Sequence, residues 1–184
     1  VFFSNQVTSW CSWSQELRNK FVFMIVDEGS PGEESAYRRY HHIGCLDIIF
    51  YAVGVDLPWN IGGARNLAFY VAPTEYVFMI DCDILVTPDI AGLSLRLLKE
   101  ERAHNAKDGT RNIYIHFRRI YSNETGVARR PHPAVMLLSK QAYWMSGGCD
   151  EDFVGNYGKT DPHFKWRASR TNNVAIKHIG KKFS

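Results

Sequence analysis

Glu75-Tyr76-Val77-Phe78-Met79-Ile80-Asp81-Cys82-Asp83 joins an apolar run to two aspartates one residue apart. The run is too short for an ordinary helix and reads as a strand buried on both faces, as in a parallel α/β sheet. Open α/β sheets bind ligands at the carboxyl ends of their strands, where the two acids lie. Residues i and i+2 of an extended chain point the same way, so Asp81 and Asp83 can offer both carboxylates to one divalent cation. Oxygen ligands of this kind suit Mn2+ or Mg2+, with water and substrate phosphates completing the shell. The plain alternative is a turn pair after a core strand.

Upstream, Val1 to Phe3 reads as a short strand and Trp10 to Lys20 as a helix. Phe21 to Val26 is a strand ending in Asp27-Glu28-Gly29-Ser30, a second acidic strand end. Glu33 to His42 has helical spacing, and His41-His42 reads as an ordinary surface pair, because adjacent helical residues diverge by about 100°. Asp47 to Val53 is a third strand. Pro58 to Asn66 contains Gly62-Gly63-Ala64-Arg65-Asn66 and leads into an apolar helix over Leu67 to Ala72. Glycines before a helix let backbone N–H groups approach a phosphate, and Arg65 adds a fixed charge.

Downstream, Thr87 and Pro88 open a helix to about Arg102, and Asn105 to Thr110 reads as a polar turn. Asn112 to Ile120 is a strand. Tyr121 to Pro133 is a long loop flanked by Arg118, Arg119, Arg129 and Arg130, with a sequon at Asn123. Ala134 to Leu138 is a strand, and Ser139 caps a short helix. Gly147-Gly148-Cys149-Asp150-Glu151-Asp152 follows, then a helix opening near Thr160-Asp161 and a last strand over Asn173 to Ile179. Asp161 could simply cap its helix. Strands alternating with helices predict a doubly wound α/β sheet.

The chain has 184 residues, 45% of them hydrophobic, which suits one compact domain. Net charge is +3, from 22 basic and 19 acidic residues, with no basic block, so no nucleic-acid partner is indicated. Cys11, Cys45, Cys82 and Cys149 form no CxxC pair, which speaks against zinc and a dense disulfide framework and favours a reducing compartment. No apolar run reaches the ~20 residues of a membrane span, and no signal peptide is evident.

The ordered series resembles the GT-A class of nucleotide-sugar glycosyltransferases: Asp27-Glu28-Gly-Ser, Gly62 to Asn66, Phe78 to Asp83, Gly147 to Phe153, Thr160-Asp161 and His178. The resemblance covers residues 1 to about 180. It implies a GT-A-like, mostly parallel central sheet flanked by helices, with a nucleotide-binding half over about 1–100 and an acceptor-binding half over about 101–184. More narrowly, the small size is similar to that of chlorella-virus-encoded enzymes that decorate capsid glycans. On that resemblance the acceptor sits on a capsid glycoprotein and the enzyme works in the host cytoplasm.

The roles that follow from the resemblance are these. Asp27 or Glu28 would read the nucleobase, uracil first, while Arg65 would lie near the diphosphate or donor sugar. Asp81 and Cys82 belong to the donor site, with Asp81 on the ribose or sugar. Asp83 and His178 would ligate Mn2+ or Mg2+, with His163 a rival ligand. Asp161 matches the base of inverting members, and Asp150, Glu151 and Asp152 would line the acceptor site. Retention would instead need a near-face nucleophile, Glu151 or Asp152. Two departures stand out: Lys159-Thr160-Asp161 in place of Gly-Glu-Asp, and Asp-Glu-Gly-Ser in place of Asp-Asp-Gly-Ser.

These features predict a metal-dependent hexosyltransferase using a UDP-sugar. Asp81-Cys82-Asp83 after an apolar strand also resembles the nucleophile motif of DxD aspartyl phosphohydrolases, although that motif usually lies near a chain's start. A sugar nucleotidyltransferase shares the fold but carries a basic glycine-rich first loop that is missing here. A non-catalytic carbohydrate-binding module is the remaining reading.

Overall fold

The computed structural model describes residues 2–108, 112–118 and 131–179. Arg119, Arg129, Arg130 and the Asn123 sequon lie outside them. The strands are β1 (Phe23–Glu28), β2 (Ile48–Val53), β3 (Tyr76–Met79), β4 (Asn112–Arg118), β5 (Pro131–Ser139) and β6 (Val174–His178). The helices are α1 (Phe2–Ser12), α2 (Gln15–Arg18), α3 (Ala36–Tyr40), α4 (Ile61–Val71), α5 (Pro88–Asp108), α6 (Lys140–Met145) and α7 (Thr160–Ala168).

The strands form a parallel pair, β1 with β2, and a four-stranded sheet in the order β3-β5-β4-β6. Strand β5 runs antiparallel to β3 and to β4, while β6 is parallel to β4. Three strands of the larger sheet therefore point one way and β5 alone points back. The class is α/β with parallel pairs and flanking helices, as expected.

The middle of the larger sheet is buried on both faces. Tyr114, Met136 and Leu138 pack on one side with Phe69, Tyr143 and Phe164. Ile113, Ile115, Phe117, Val135 and Leu137 pack on the other with Leu93. This is why β4 reads as a near-continuous apolar run. Phe69 stacks on Tyr143 with ring centroids 3.7 Å apart, joining α4 to α6.

Strand β3 departs from the expectation of burial on both faces. Its residues are only half-buried, because β5 pairs with one edge while the other borders a cavity of about 640 Å³ between β1 and β3. Val22 to Val26 and Thr74 to Ile80 line that cavity, and its polar end is formed by Arg65, Asp81 and Cys82.

The amino-terminal strand is corrected to a helix. Phe3, Val7 and Trp10 recur at helical spacing and pack toward Phe23, so tertiary burial overrides the apparent Val-Phe-Phe strand. Buried Gln6 accepts from Val86 N at 3.1 Å, and Ser9 donates to Val86 O at 3.1 Å. Helix α1 thus anchors the chain leaving Asp81 to Asp83. The expected helix over Trp10 to Lys20 is divided, because Ser14 caps a new helix by accepting from Leu17 N. Helix α5 runs into the expected polar turn over Asn105 to Thr110, its described residues reaching Asp108.

The reading of the cysteines as reduced is corrected at two of them. Cys11 and Cys45 form a disulfide, with Cα atoms 5.6 Å apart. A bridge of this kind depends on spatial proximity and direction, which sequence spacing does not encode. Cys82 and Cys149 are free thiols. Among the described residues no helix is long and apolar enough to cross a membrane.

Candidate active site

Helix α4 supplies the centre of the site. Asn60 caps it by accepting from Gly63 N at 3.2 Å. The two glycines lie inside the first helical turn and not in a loop before it. A Cβ on Gly62 would meet the Asp150 carbonyl oxygen at 3.1 Å, so this glycine lets the helix and the 149–160 segment approach closely. The glycine pair serves capping and packing in this first turn.

One turn on, Arg65 is only 3% exposed. Its Nη2 donates to Asp81 Oδ1 at 2.8 Å, and its Nη1 forms an ion pair with Asp161 at the start of α7. A guanidinium presents its donors in a rigid fork, so one buried side chain fixes two carboxylates from distant parts of the chain. Lys159 precedes α7 without a side-chain cap, and Asp161 sits in the first turn with its carboxylate on Arg65.

Asn66 is the residue that sequence reasoning left without a role. Its Nδ2 donates to Cys149 O at 3.0 Å and to Glu151 Oε1 at 2.6 Å. Its Oδ1 accepts from Cys149 N at 2.9 Å and from Tyr143 Oη at 2.7 Å. Adjacent residues of α4 thus organise the two halves of the site: Arg65 holds Asp81 and Asp161, and Asn66 holds the loop carrying Asp150 to Asp152. Its place beside Arg65 was the available signal, but its partners are more than 70 residues away in sequence.

The remaining candidates lie at separate strand ends and loops. Asp27 accepts from Ser30 N at 3.2 Å and from Ala36 N at 2.6 Å, ordering the turn between β1 and α3. Glu28 ends β1 partly buried, and desolvation pushes its carboxyl up against a smaller opposing effect of the Asn60 amide. Gly29, at φ +72°, lies where a Cβ would come within 3.0 Å of Asp56 Cα, so this turn requires glycine.

In the segment after Cys149, Asp150 Oδ1 accepts from Asp152 N at 3.1 Å and its Oδ2 lies 3.7 Å from His163 Nδ1. Glu151 and Asp152 are exposed. Beyond β3, Cys82 and Asp83 are exposed. Partial desolvation, then the charges of Asp83 and Asp81, push the Cys82 thiol up, so it stays protonated. His178 ends β6, opposite His116 on β4, with the two rings 5.4 Å apart. His41 lies exposed on Tyr37, its rings 4.8 Å apart, as a surface residue.

Among the described residues, no three His, Cys, Asp or Glu side chains converge into a cage for a metal ion. Exposed Asp83 instead fits the mode in which Mg2+ or Mn2+ is held by one carboxylate, waters and the phosphates of a substrate.

The fold of the chain, as distinct from its side chains, is similar to that of solved structures. The structure of S. aureus TarS residues 1–349, a glycosyltransferase, matches with a TM-score of 0.72 at 12% sequence identity, over 97% of this chain and 55% of that one. The fold is GT-A-like. A putative glucose-1-phosphate thymidylyltransferase from Bacillus anthracis, solved in complex with a sucrose, matches with a TM-score of 0.52 at 12% identity, over 97% of this chain and 74% of that one. This chain therefore spans little more than half of the TarS chain. No family model and no curated protein matches the sequence. In the GT-A-like frame, Asp81 to Asp83 lie just beyond the carboxyl end of β3, and Arg65 ties them to α7.

Proposed function

We propose that this chain is a divalent-metal-dependent glycosyltransferase that moves a hexose from a UDP-sugar to a glycan acceptor with inversion. The observation that carries the reading is the buried Arg65 bridging Asp81 and Asp161. It joins the donor-side carboxylate to a carboxylate able to act on the acceptor. A capsid glycan as that acceptor rests on the sequence resemblance alone.

Transfer breaks the bond between the anomeric carbon and the diphosphate and forms one to the acceptor oxygen. Asp161, in the first turn of α7, takes the proton of the attacking hydroxyl. Asp81 orients the ribose or donor sugar. Asp83 would hold Mn2+ or Mg2+ with the donor phosphates, where the cation supplies charge stabilisation for the leaving diphosphate. Asp27 and Glu28 lie at the end of β1, where the resemblance expects the nucleobase to be read. Asp150, Glu151 and Asp152 face the acceptor. Attack by water-excluded acceptor oxygen opposite the leaving group gives inversion, the sugar-transfer counterpart of a single-displacement hydrolysis.

The similarity to a thymidylyltransferase favours one other reading, nucleotidyl transfer. The turn after β1 argues against it. It carries Asp27, Glu28, Glu33 and Glu34, with Arg38 and Arg39 already paired to Glu33 and Glu34, and so offers carboxylates where an incoming triphosphate needs donors.

Product analysis tests the proposal. The chain is incubated with Mn2+, UDP-glucose, UDP-galactose or UDP-N-acetylglucosamine and a glycan panel, and the anomeric configuration of any product is read by NMR. Inverted product is expected, with turnover about 10²–10⁴-fold lower in Asp161→Asn. Sugar 1-phosphate and nucleoside triphosphate turning over instead would establish the nucleotidyltransferase.

A further inference from the structure

Two aromatic side chains from separate loops meet at the surface beside the site. Trp59 is 58% exposed and Tyr157 is 79% exposed, yet their ring centroids lie 4.9 Å apart at 60°. Gly155 N donates to Pro58 O at 2.7 Å, fastening the two loops together directly behind the rings. Trp59 adopts φ +51°, a left-handed conformation that a bulky residue rarely takes because it is strained. The backbone thus holds a large apolar ring in water, where burial would be favourable.

The two loops connect the rings to the chemistry. Trp59 precedes Asn60, the cap of the helix that carries Arg65 and Asn66. Tyr157 stands between the acids at 150–152 and Asp161.

We propose that Trp59 and Tyr157 form a stacking platform for a pyranose ring of the acceptor glycan. A pyranose presents a face of C–H groups edged by hydroxyls. The aromatic faces cover the first, and the indole N–H and phenol O–H hydrogen-bond the second. The rings meet edge to face at 60°, and the angled surface they present together suits a puckered sugar resting against both, whereas a flat nucleobase stacks on only one. Calling the sugar an acceptor rests on the transferase reading; the platform's affinity for a sugar does not.

Saturation-transfer NMR with methyl α- and β-glycosides of glucose, galactose, mannose and N-acetylglucosamine, and with UDP–Mn2+, tests this on the native chain, Trp59→Ala, Trp59→Phe and Tyr157→Ala. At least one glycoside receives saturation on its C–H face, weakened about tenfold or more by either alanine and restored in part by Trp59→Phe. UDP binding is unchanged by all three. Thermal unfolding of the exposed-site variants serves as the folding control. Absence of glycoside binding, binding indifferent to both alanines, or loss of UDP in place of glycoside overturns the platform. Glycoside binding with no UDP binding keeps the platform and removes the transferase reading, so the two fail separately.

Discussion

Arg65 Nη2 donates to Asp81 Oδ1 at 2.8 Å from a guanidinium that is almost wholly buried, and the same group pairs with Asp161. Removing it leaves two partly buried carboxylates facing each other. Arg65→Ala is expected to lose about 3–4 kcal/mol of stability, the lower part of the range for a broken buried pair because both acids keep some contact with water. Arg65→Lys keeps one charge and loses the fork, so it recovers much of the stability but not the simultaneous hold on both acids. Urea unfolding of the two variants measures the difference.

Asn66 makes four hydrogen bonds to Cys149, Glu151 and Tyr143. Asn66→Ala leaves the Tyr143 hydroxyl without its acceptor and Cys149 O without its donor, while the Cys149 amide keeps only its weaker bond to Tyr143 Oη at 3.1 Å, a cost of about 1–3 kcal/mol. Hydrogen exchange at the Gly148 and Cys149 amides should accelerate well beyond that at β4. Unchanged protection there would remove the claim that Asn66 holds the loop carrying Asp150 to Asp152.

Both results bear on how much of the molecule could be read in advance. The ordered acidic strand ends, β1, β2, β4, α4 and α7 were legible because apolar periodicity and capping residues are local. The reversed direction of β5 was not, since pairing direction is set by the return of a chain through segments whose geometry no residue states. Helix α1 was misread because three apolar residues at a chain end look alike as strand or helix until a partner surface is known. The motifs named Arg65, Asp81 and Asp161, but not that the arginine joins the two acids, and Asn66 stood quoted beside Arg65 without a role. The Cys11–Cys45 bridge was hidden for the same reason: it is a contact between segments.

Glu28 gives a pH signature. Burial raises its carboxyl above the ordinary value of 4.5, so on a rising pH the unfolded chain releases this proton first. Between the ordinary and the raised value the folded state binds more protons, and stability falls as pH increases. Below the ordinary value both states are protonated and the effect vanishes. Glu28→Gln has no proton to lose. Its stability relative to the native chain should be near zero at about pH 4, grow through the weakly acidic range and then level off. A constant difference across denaturant curves at these pH values would contradict the burial argument.

The Cys11–Cys45 bridge closes a loop with a sequence separation of 34. The chain-entropy model assigns such a loop up to about 3–4 kcal/mol. Reduction, or Cys11→Ser with Cys45→Ser, should lower the unfolding free energy by about 2–4 kcal/mol. Because α1 also holds Val86 through Gln6 and Ser9, hydrogen exchange at Val86 should rise as well. Non-reducing mass analysis with alkylation counts the free thiols, and four would contradict the bridge.

The central claim is a nucleotide-sugar donor site at Asp81 to Asp83. Calorimetric titration with UDP and UDP-sugars, with and without Mn2+, on the native chain and on Asp83→Ala tests it most directly. The account predicts Mn2+-dependent binding of a uridine nucleotide, lost or weakened at least about tenfold in Asp83→Ala. Absence of uridine nucleotide binding in the presence of Mn2+, or binding equally tight in the variant, would contradict it.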